Sequence, residues 1–329
     1  MRLPQELAVA IQREVEQADQ RDLPRASEEL TRRYKSANFG AAAIKSDLDR
    51  AAYLLVRMPA TYAAVQSVFA ELQRLAPQDV VTSFLDLGAG PGTALFAAAQ
   101  VFPTLHHAQL IELSQTWLAQ GQRLAAQMSH SVFAQTQWIQ RDLRVASDLP
   151  PHDLVVMAYS LGEMPGPAAH SLLYRAWNCA SKFMVVIEPG TPRGFATVHT
   201  ARSALIANGA HILAPCPHDH ACPMAGTRDW CHFAQRVERT SQHRRLKSGT
   251  LGYEDEKFSY VIAAKASVRP AAARIVRHPK KLGGHVQLVL CAKNGIEVQT
   301  ITRSAREAYK RARQAEWGDG WENSHRDDR

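Results

Sequence analysis

The sequence predicts an α/β fold built on a parallel sheet with crossover helices, and three observations carry this prediction. From Asp79 onward, short apolar runs of strand type alternate with helical segments, which is typical of consecutive strand–helix–strand units. A glycine-rich turn at 88–92 lies between the first apolar run and the first helix of this region. Residues 1–78 lack strand-like alternation and are rich in helix-forming residues, so a helical region precedes the sheet.

The composition is that of a globular protein with excess positive charge. The 329 residues can form one large domain or two, and 46% of them are hydrophobic. The net charge of +8 suggests a polyanionic partner. No apolar run approaches the roughly 20 residues that a membrane span needs. Neither a signal peptide nor a transit peptide is recognisable, so we expect a cytoplasmic protein without a membrane partner and a monomer when free.

Each element of this fold can be placed along the chain. In the helical region, helices are expected at Asp47–Met58 and Thr61–Leu75, with breaks at Asp22–Pro24 and near Asn38–Gly40. The expected strands, in order, are 80–87, 107–112, 133–139, 153–158, 183–187, 258–264 and 286–290, with helices at 92–101, 117–128 and 168–179. The last two strands are expected to form the closing hairpin of a seven-stranded sheet.

The turn after the first strand carries an acidic residue and three glycines at alternate positions, Asp86, Gly88, Gly90 and Gly92. A strand–glycine–helix turn lets backbone N–H groups approach a ligand closely, because no Cβ intervenes. The spacing differs from that of a dinucleotide-binding fingerprint. It resembles motif I of the class I S-adenosylmethionine (SAM) methyltransferases, which have a Rossmann-like fold. This resemblance implies that Asp86 binds the methionine amino group of SAM and that the glycines let it sit close.

Two further acidic residues follow neighbouring strands. Glu112 ends the second strand, where a carboxylate can accept hydrogen bonds from both ribose hydroxyls of a nucleoside. Asp142 follows the third strand, where methyltransferases of this fold often place an acidic residue near the adenine amino group. Glu188 and Arg193, after the fifth strand, are candidates to face the site of methyl transfer.

A cysteine-rich insertion of different composition is expected between strands 5 and 6, at about 211–250. Cys216, Cys222 and Cys231 are separated by five and eight residues, and neither spacing is that of most zinc ribbons. Cys291, at the end of the seventh strand, is a fourth candidate. Iron–sulfur clusters tolerate varied ligand spacing. The alternative is zinc bound by three cysteines and one histidine, and the candidate histidines are His218, His220 and His232.

A wider resemblance covers most of the chain, roughly residues 30–319. The matching segments are Arg57–Tyr62, Asp86–Gly92, Glu188–Pro192, Cys216–His218, Cys222–Pro223, Trp230–Phe233 and Trp317–Asp319. Through them the chain resembles the methyltransferase-like assembly factors of the small ribosomal subunit, known from mitochondria and found in bacteria. The resemblance implies SAM binding, a [4Fe–4S] cluster and association with small-subunit ribosomal RNA. It also implies the cluster ligands, which are Cys216, Cys222, Cys231 and Cys291.

Two basic segments are candidates for the RNA contact. Between residues 265 and 285 there are six Lys or Arg and no acidic residue. A second group, Arg236, Arg239, Arg244, Arg245 and Lys247, follows Cys231. Such charges attract phosphate and carry little sequence information. The expected organisation is therefore a helical region at 1–78, a SAM-binding core at 79–302, and a basic helix and tail at 303–329.

Catalysis is less well supported than SAM binding. No cysteine stands at the end of strand 4 or 5, where a C5-pyrimidine methyltransferase would need its nucleophile. Residues 159–162 read Tyr-Ser-Leu-Gly, so the amine-binding turn of many N-methyltransferases is missing. Three hypotheses remain, namely an rRNA methyltransferase, an assembly factor that binds SAM without turnover, and, with less support, a small-molecule methyltransferase.

Overall fold

The computed structural model describes residues 1–16, 21–35, 44, 46–239 and 252–322. Three features predicted from the sequence lie outside these ranges: the break near Asn38–Gly40, the basic residues at 244–247 and the C-terminal tail from residue 323. None of the helices in the described ranges is both long and apolar enough to cross a bilayer.

In the described ranges, four helices precede the sheet, in the region where the sequence predicts helices. They are α1 (Gln5–Glu16), α2 (Leu23–Lys35), α3 (Asp47–Val56) and α4 (Met58–Leu75). Helix α3 begins after Ser46, whose hydroxyl accepts a hydrogen bond from the Asp49 N–H at 3.1 Å, a standard N-cap. Pro59 lies in the first turn of α4, where its missing N–H leaves no helical hydrogen bond unmade.

The main sheet confirms the prediction of a mostly parallel α/β core. Its strands are β1 (Ser83–Leu87), β2 (His107–Glu112), β3 (Thr136–Gln140), β4 (His152–Ala158), β5 (Ala180–Pro189), β6 (His211–Ala214), β7 (Phe233–Glu238) and β8 (Tyr253–Ala264). They run in the order β3-β2-β1-β4-β5-β8-β6, with β7 also paired to β8. Strands β1 to β5 are parallel, and β8 runs antiparallel between β5 and β6.

Helices cover both faces of this sheet. They are α5 (Thr93–Val101), α6 (Gln115–Ala125), α7 (Gly166–Cys179) and α8 (Pro192–Ala207), together with the N-terminal helices. Because successive side chains of a strand point to opposite faces, Phe84 packs with α1 to α5 while its neighbour Leu85 packs with α7 and α8. This double cover explains why the strands are apolar runs without alternation.

The predicted seventh strand at 286–290 is wrong as part of the main sheet. Its residues belong to β11 (His285–Ala292) of a second sheet, which also contains β9 (Ala273–Ile275), β10 (Lys280–Lys281), β12 (Gly295–Thr302) and β13 (Gly320–Trp321). An apolar run identifies a buried strand but not its partners, and β11 pairs in register with β12 across a two-residue turn. Strand β6 takes the open place beside β8.

The second sheet has a hydrophobic cluster of its own. Helix α9 (Arg306–Gln314) packs Ala308 and Ala312 against Leu288 and Leu290 of β11. The residues of this cluster come from both sides of position 302. The predicted division of the chain into regions at residues 78 and 302 stays a prediction. The cysteine-rich segment also begins later than predicted, because residues 211–214 form β6 and the cysteines follow it.

Candidate functional site

The carboxyl ends of the parallel strands border a cavity of about 790 Å³, the edge at which open α/β sheets bind ligands. Residues after β1, β2, β3, β4 and β5 line it, and so do Tyr53, Arg57 and Thr61 from helices α3 and α4. The N-terminal helices therefore form one wall of the site. Arg57 is held there by Glu256 of β8, with a nitrogen–oxygen distance of 3.1 Å.

The glycines of the turn are required by its backbone geometry. Gly88, Gly90 and Gly92 have φ angles of +83°, +53° and +82°, in the region that favours glycine. A Cβ on Gly88 would lie 2.5 Å from the Cβ of Ser160. Gly92 differs from the other two because it caps α5 against Trp138 and does not line the cavity. The first two glycines are thus the ones whose backbone borders the cavity.

Asp86 lines this cavity with a carboxylate that is only 2% exposed. Among the described residues, its Oδ2 atom has no hydrogen-bond partner. Burial, and after it the neighbouring carboxylate of Glu112, raises the pKa of Asp86 to about 8. A buried carboxyl group without a partner is costly, and a cationic donor in the cavity would remove that cost.

Glu112 stabilises the glycine turn through hydrogen bonds to backbone N–H groups. Its two oxygens accept hydrogen bonds from the backbone N–H groups of Gly90 and Ser114, both at 2.9 Å. These contacts fix the carboxylate at the end of β2 and hold the glycine turn against the start of α6. Each carboxylate oxygen has a second lone pair, so Glu112 can also accept from ligand hydroxyls.

Asp142 also lines the cavity, but it is engaged with its neighbour. Arg144 donates from its side chain at 2.6 Å and from its backbone at 2.9 Å, and these bonds lower the pKa of Asp142 to about 2. The predicted set of Asp86, Glu112 and Asp142 is therefore brought together at one cavity. Binding by each of these residues stays a prediction.

A third buried acid, at the end of β5, also lines the cavity. Glu188 is 4% exposed and accepts a hydrogen bond from the Gly162 N–H at 2.9 Å. Burial raises its pKa to about 7. Arg193 also lines the cavity and donates to the Gly162 carbonyl. Tyr159, which also lines the cavity, has a φ of 59°, a conformation that is uncommon for residues other than glycine.

The four predicted cysteine ligands meet in a second cavity, of about 40 Å³. Three of these thiols follow β6 in the loop before β7, and Cys291 comes from β11 of the second sheet. The described residues form no disulfide. Cys179 is 7% exposed on α7, apart from this cavity, as expected of a buried apolar residue. We call this second space the thiol cavity.

The thiols of this cavity are close enough to influence one another. Burial, and after it the other three thiols, raises the pKa of Cys231 well above its ordinary value. Burial likewise raises the pKa of Cys291 to about 12. Within the described ranges, no three His, Cys, Asp or Glu side chains converge closely enough to hold a single metal ion. The four thiols therefore border a shared cavity without converging on a position where one metal ion could bind all of them.

Of the three histidines considered as zinc ligands, only His218 lines the thiol cavity. His232 packs against Trp230 and Trp317 with centroid distances of 5.2 and 4.9 Å, and His220 stacks on His218. Sequence reasoning missed Arg202, which lies in the cavity wall. The signal was present, because Arg202 follows Val198 by four residues on the apolar face of α8.

The prediction that the basic segments face RNA is wrong for Arg274, which is 1% exposed in the wall of the thiol cavity. Other cations of these segments have internal partners. Arg236 pairs with Asp255 at 2.9 Å, and Lys265 lies 3.8 Å from the Trp177 ring centroid. The sequence of a basic segment does not show which of its Lys and Arg side chains are buried or paired within the protein.

Exposed cations remain on the second sheet and its helix. Residues 266–322 contain eleven Lys or Arg against five Asp or Glu, so this part of the chain carries most of the excess positive charge. Exposed examples on β10 and α9 are Lys280, Lys281, Arg306, Lys310 and Arg313. They form the basic surface of the second sheet.

Solved structures with a similar arrangement include two methyltransferases. Magnesium protoporphyrin IX methyltransferase from Synechocystis, with bound SAM, is 14% identical and has a TM-score of 0.41, covering 73% of this chain and 90% of its own. N-methyltransferase NodS from Bradyrhizobium japonicum is 11% identical with a TM-score of 0.42, covering 74% and 99%. Both are distant similarities.

Curated proteins with similar sequences are mitochondrial. Human "Ribosome assembly protein METTL17, mitochondrial" is 29% identical over 285 residues, which cover 81% of this chain and 61% of that protein. "Rsm22-cox11 tandem protein 2, mitochondrial" of Schizosaccharomyces pombe is 28% identical over 324 residues, which cover 82% and 42%. The chain thus spans about half the length of these relatives. They contradict the predicted cytoplasmic location, which rested on the lack of a recognisable targeting segment.

A family model also matches most of the chain. The family described as "Mitochondrial small ribosomal subunit Rsm22" matches residues 47–322. This range contains the glycine turn, the four cysteines of the thiol cavity and the second sheet. It confirms the resemblance inferred from the motifs of the sequence, and the chain belongs to the Rsm22 family of mitochondrial small ribosomal subunit proteins.

Proposed function

We propose that this chain is a SAM-binding, methyltransferase-like assembly factor that acts on the small ribosomal subunit. The observation that carries SAM binding is Asp86, a buried carboxyl group beside the glycine turn whose Oδ2 atom has no hydrogen-bond partner among the described residues. The ammonium group of SAM would supply the missing donor. The same cavity is lined by Glu112, which can accept from ribose hydroxyls, and by Asp142, which would lie near the adenine. The part played in ribosome assembly rests on membership of the family.

We further propose that the thiol cavity holds a [4Fe–4S] cluster bound by Cys216, Cys222, Cys231 and Cys291. The donor set fits this group, because each thiolate of such a cluster binds a different iron atom. A single zinc ion needs its ligands to converge on one point, and the described side chains do not converge in that way. Thiols kept neutral by burial would lose their protons when metal binds.

The cluster is tested by metal analysis of protein purified without oxygen. We expect iron and sulfide with broad absorbance near ~400 nm, as is typical of iron bound by thiolates. Cys231→Ser should lose the absorbance. Cys179→Ser is the matched control, because Cys179 is buried but lies outside the thiol cavity. Stoichiometric zinc without iron would refute the cluster.

We propose ribosomal RNA of the small subunit as the partner of the basic surface of the second sheet. Exposed lysines and arginines attract phosphate by counterion release. Crosslinking of RNA to the protein in cells tests this directly. Recovery of small-subunit rRNA at defined positions supports the proposal, and an absence of rRNA among the crosslinked RNA would refute it.

Methyl transfer to rRNA is the second candidate function, and Glu188 is the observation that favours it. This buried acid, whose pKa is about 7, lines the same cavity as Asp86 and could take a proton at neutral pH. Methyl marks on rRNA should be compared between a deletion strain and a strain carrying Asp86→Ala. Loss of one specific mark in both strains would establish turnover, whereas unchanged marks with defective subunit assembly would establish the non-catalytic role.

A further inference from the structure

Two buried arginines from different parts of the fold border the thiol cavity. Arg202 lies on α8 of the main domain, by which we mean the main sheet and the helices packed on it, and Arg274 lies on β9 of the second sheet. They are 5% and 1% exposed, and both line the cavity together with the four cysteines. Fully buried arginines are uncommon unless their charge and their N–H groups are matched.

Backbone carbonyls satisfy only part of each guanidinium group. Arg202 donates from Nη2 to the carbonyls of His218 and His220, both at 2.8 Å. Arg274 donates from Nε to the Pro215 carbonyl at 2.9 Å and from Nη1 to Gly318 at the same distance. Among the described residues, Arg202 Nε and Arg274 Nη2 are buried without a partner. Each of these two cavity-lining arginines therefore has one buried N–H group that meets no acceptor among the described residues, and the guanidinium of Arg202 also reaches the Cys216 thiol.

The charges are also incompletely balanced. Glu71 of α4 pairs with Arg274 at 2.6 Å, but the same carboxylate is shared with Arg74 at 2.8 Å. In the described part of the chain, no Asp or Glu lines the thiol cavity. The wall of this cavity thus has positive charge that lacks a matching anion, which is unfavourable in a buried site.

We propose that Arg202 and Arg274 are positioning residues that donate N–H hydrogen bonds to the sulfur atoms of a thiolate-bound metal centre and balance its negative charge. The inference rests on the metal centre of the proposed function. An oxidised four-iron core has two positive charges and its four thiolates four negative ones, so the centre is formally a dianion. Two guanidinium groups match that charge.

This arrangement has consequences for redox behaviour and for assembly. Hydrogen bonds and positive charge near the sulfurs favour the more negative, reduced state, so they raise the reduction potential of a cluster. Arg274 also joins the loop at Pro215, the turn at Gly318 and Glu71 of α4. The metal centre would therefore hold the second sheet against the main domain.

The test compares Arg202→Gln and Arg202→Lys with Arg175→Gln in protein loaded with its metal. Arg175 is a matched control, because it also donates to two backbone carbonyls and has a buried Nε without a partner among the described residues. It does not line the thiol cavity. We expect Arg202→Gln to lower the midpoint potential and to speed cluster loss to a chelator several-fold, with partial recovery in Arg202→Lys. Arg175→Gln should change neither.

The outcomes separate this inference from the proposed cluster. Wild-type protein without any metal would overturn both. Wild-type protein with iron and unchanged potential and chelation rate in Arg202→Gln would overturn the inference alone. If the metal is zinc, the chelation rate remains the readout, because four thiolates around zinc also form a dianion. SAM binding by each variant verifies that the main domain is folded.

Discussion

The cavity at the glycine turn and the thiol cavity differ in the charged groups buried in their walls. The cavity at the glycine turn is about 790 Å³ in volume, and its lining includes the buried acids Asp86, Glu112 and Glu188 at the ends of parallel strands. The thiol cavity is about 40 Å³ and is bordered by Arg202 and Arg274. The first suits a ligand with an ammonium group and hydroxyls. The second suits an anionic centre held by sulfur.

The cavities also differ in how the chain builds them. The larger cavity is built by the main sheet and the helices packed on it. The glycine turn that borders it adopts positive φ angles that its own glycines permit. The thiol cavity combines a loop after β6 with a strand of the second sheet, so it exists only when the two sheets are together. We therefore expect damage at the thiol cavity to affect stability, and damage at the larger cavity to affect ligand binding.

The largest effect should follow Arg274→Met. This change leaves Glu71 without its buried partner and removes the hydrogen bonds to the carbonyls of Pro215 and Gly318. Breaking a buried ion pair from one side costs about 3–5 kcal/mol, so unfolding of the metal-free protein in urea should occur at a much lower denaturant concentration. Arg236→Met removes an exposed pair and should cost less than about 1 kcal/mol. Equal losses would show that the two sheets are not joined through Arg274.

A smaller effect, confined to the other cavity, is expected of Asp86→Asn. Loss of a hydrogen bond to a charged group costs about 1.5–3 kcal/mol, so SAM affinity measured by calorimetry should fall at least tenfold. Metal content should be unchanged, because Asp86 does not line the thiol cavity. Asp142→Asn is the comparison, since that carboxylate is already bonded to Arg144. A larger loss from Asp142→Asn would contradict the role assigned to Asp86.

The raised pKa of Asp86 leads to a dependence on pH. Its folded pKa of about 8 exceeds the ordinary 3.8, so the folded protein without ligand binds the extra proton between these values. The residue's contribution to stability therefore declines as pH rises from about 4 to 8, and Asp86→Asn should flatten that decline.

SAM binding near pH 7 should release up to about one proton, because the ammonium favours the charged carboxylate. Calorimetry in two buffers with different ionisation enthalpies measures this release, which should be absent in Asp86→Asn.

The smallest effect per residue is expected on the basic surface of the second sheet. Replacing Lys280 and Lys281 with Ala should weaken RNA binding. The slope of log affinity against log salt concentration should become shallower by about 1 for each phosphate that the protein no longer binds. Arg236→Ala is the matched control, because Arg236 is already paired with Asp255. An unchanged slope in the double variant would place the RNA-binding surface elsewhere on the molecule.

Much of the main domain could be predicted from the sequence, because its signals are local. Val155 and Val156 belong to a run that needs both faces buried, and Gly88 and Gly90 stand where a strand turns into a helix. The second sheet could not be predicted in this way. Strand β11 is as apolar as a core strand, and its pairing with β12 and β9 depends on contacts that no short window contains.

The residues of the candidate sites also differ in whether local sequence signals could identify them. Asp86 and Glu112 were identified because the ends of parallel strands meet at one edge of a sheet. Arg274 was misassigned to an RNA surface, since a basic segment does not show which of its cations is buried. The sequence alone determined the parallel core, the glycine turn and the four cysteines as a candidate set. Only the tertiary structure decided that those thiols share a cavity with two arginines, because chain segments far apart in sequence meet there through packing between the sheets.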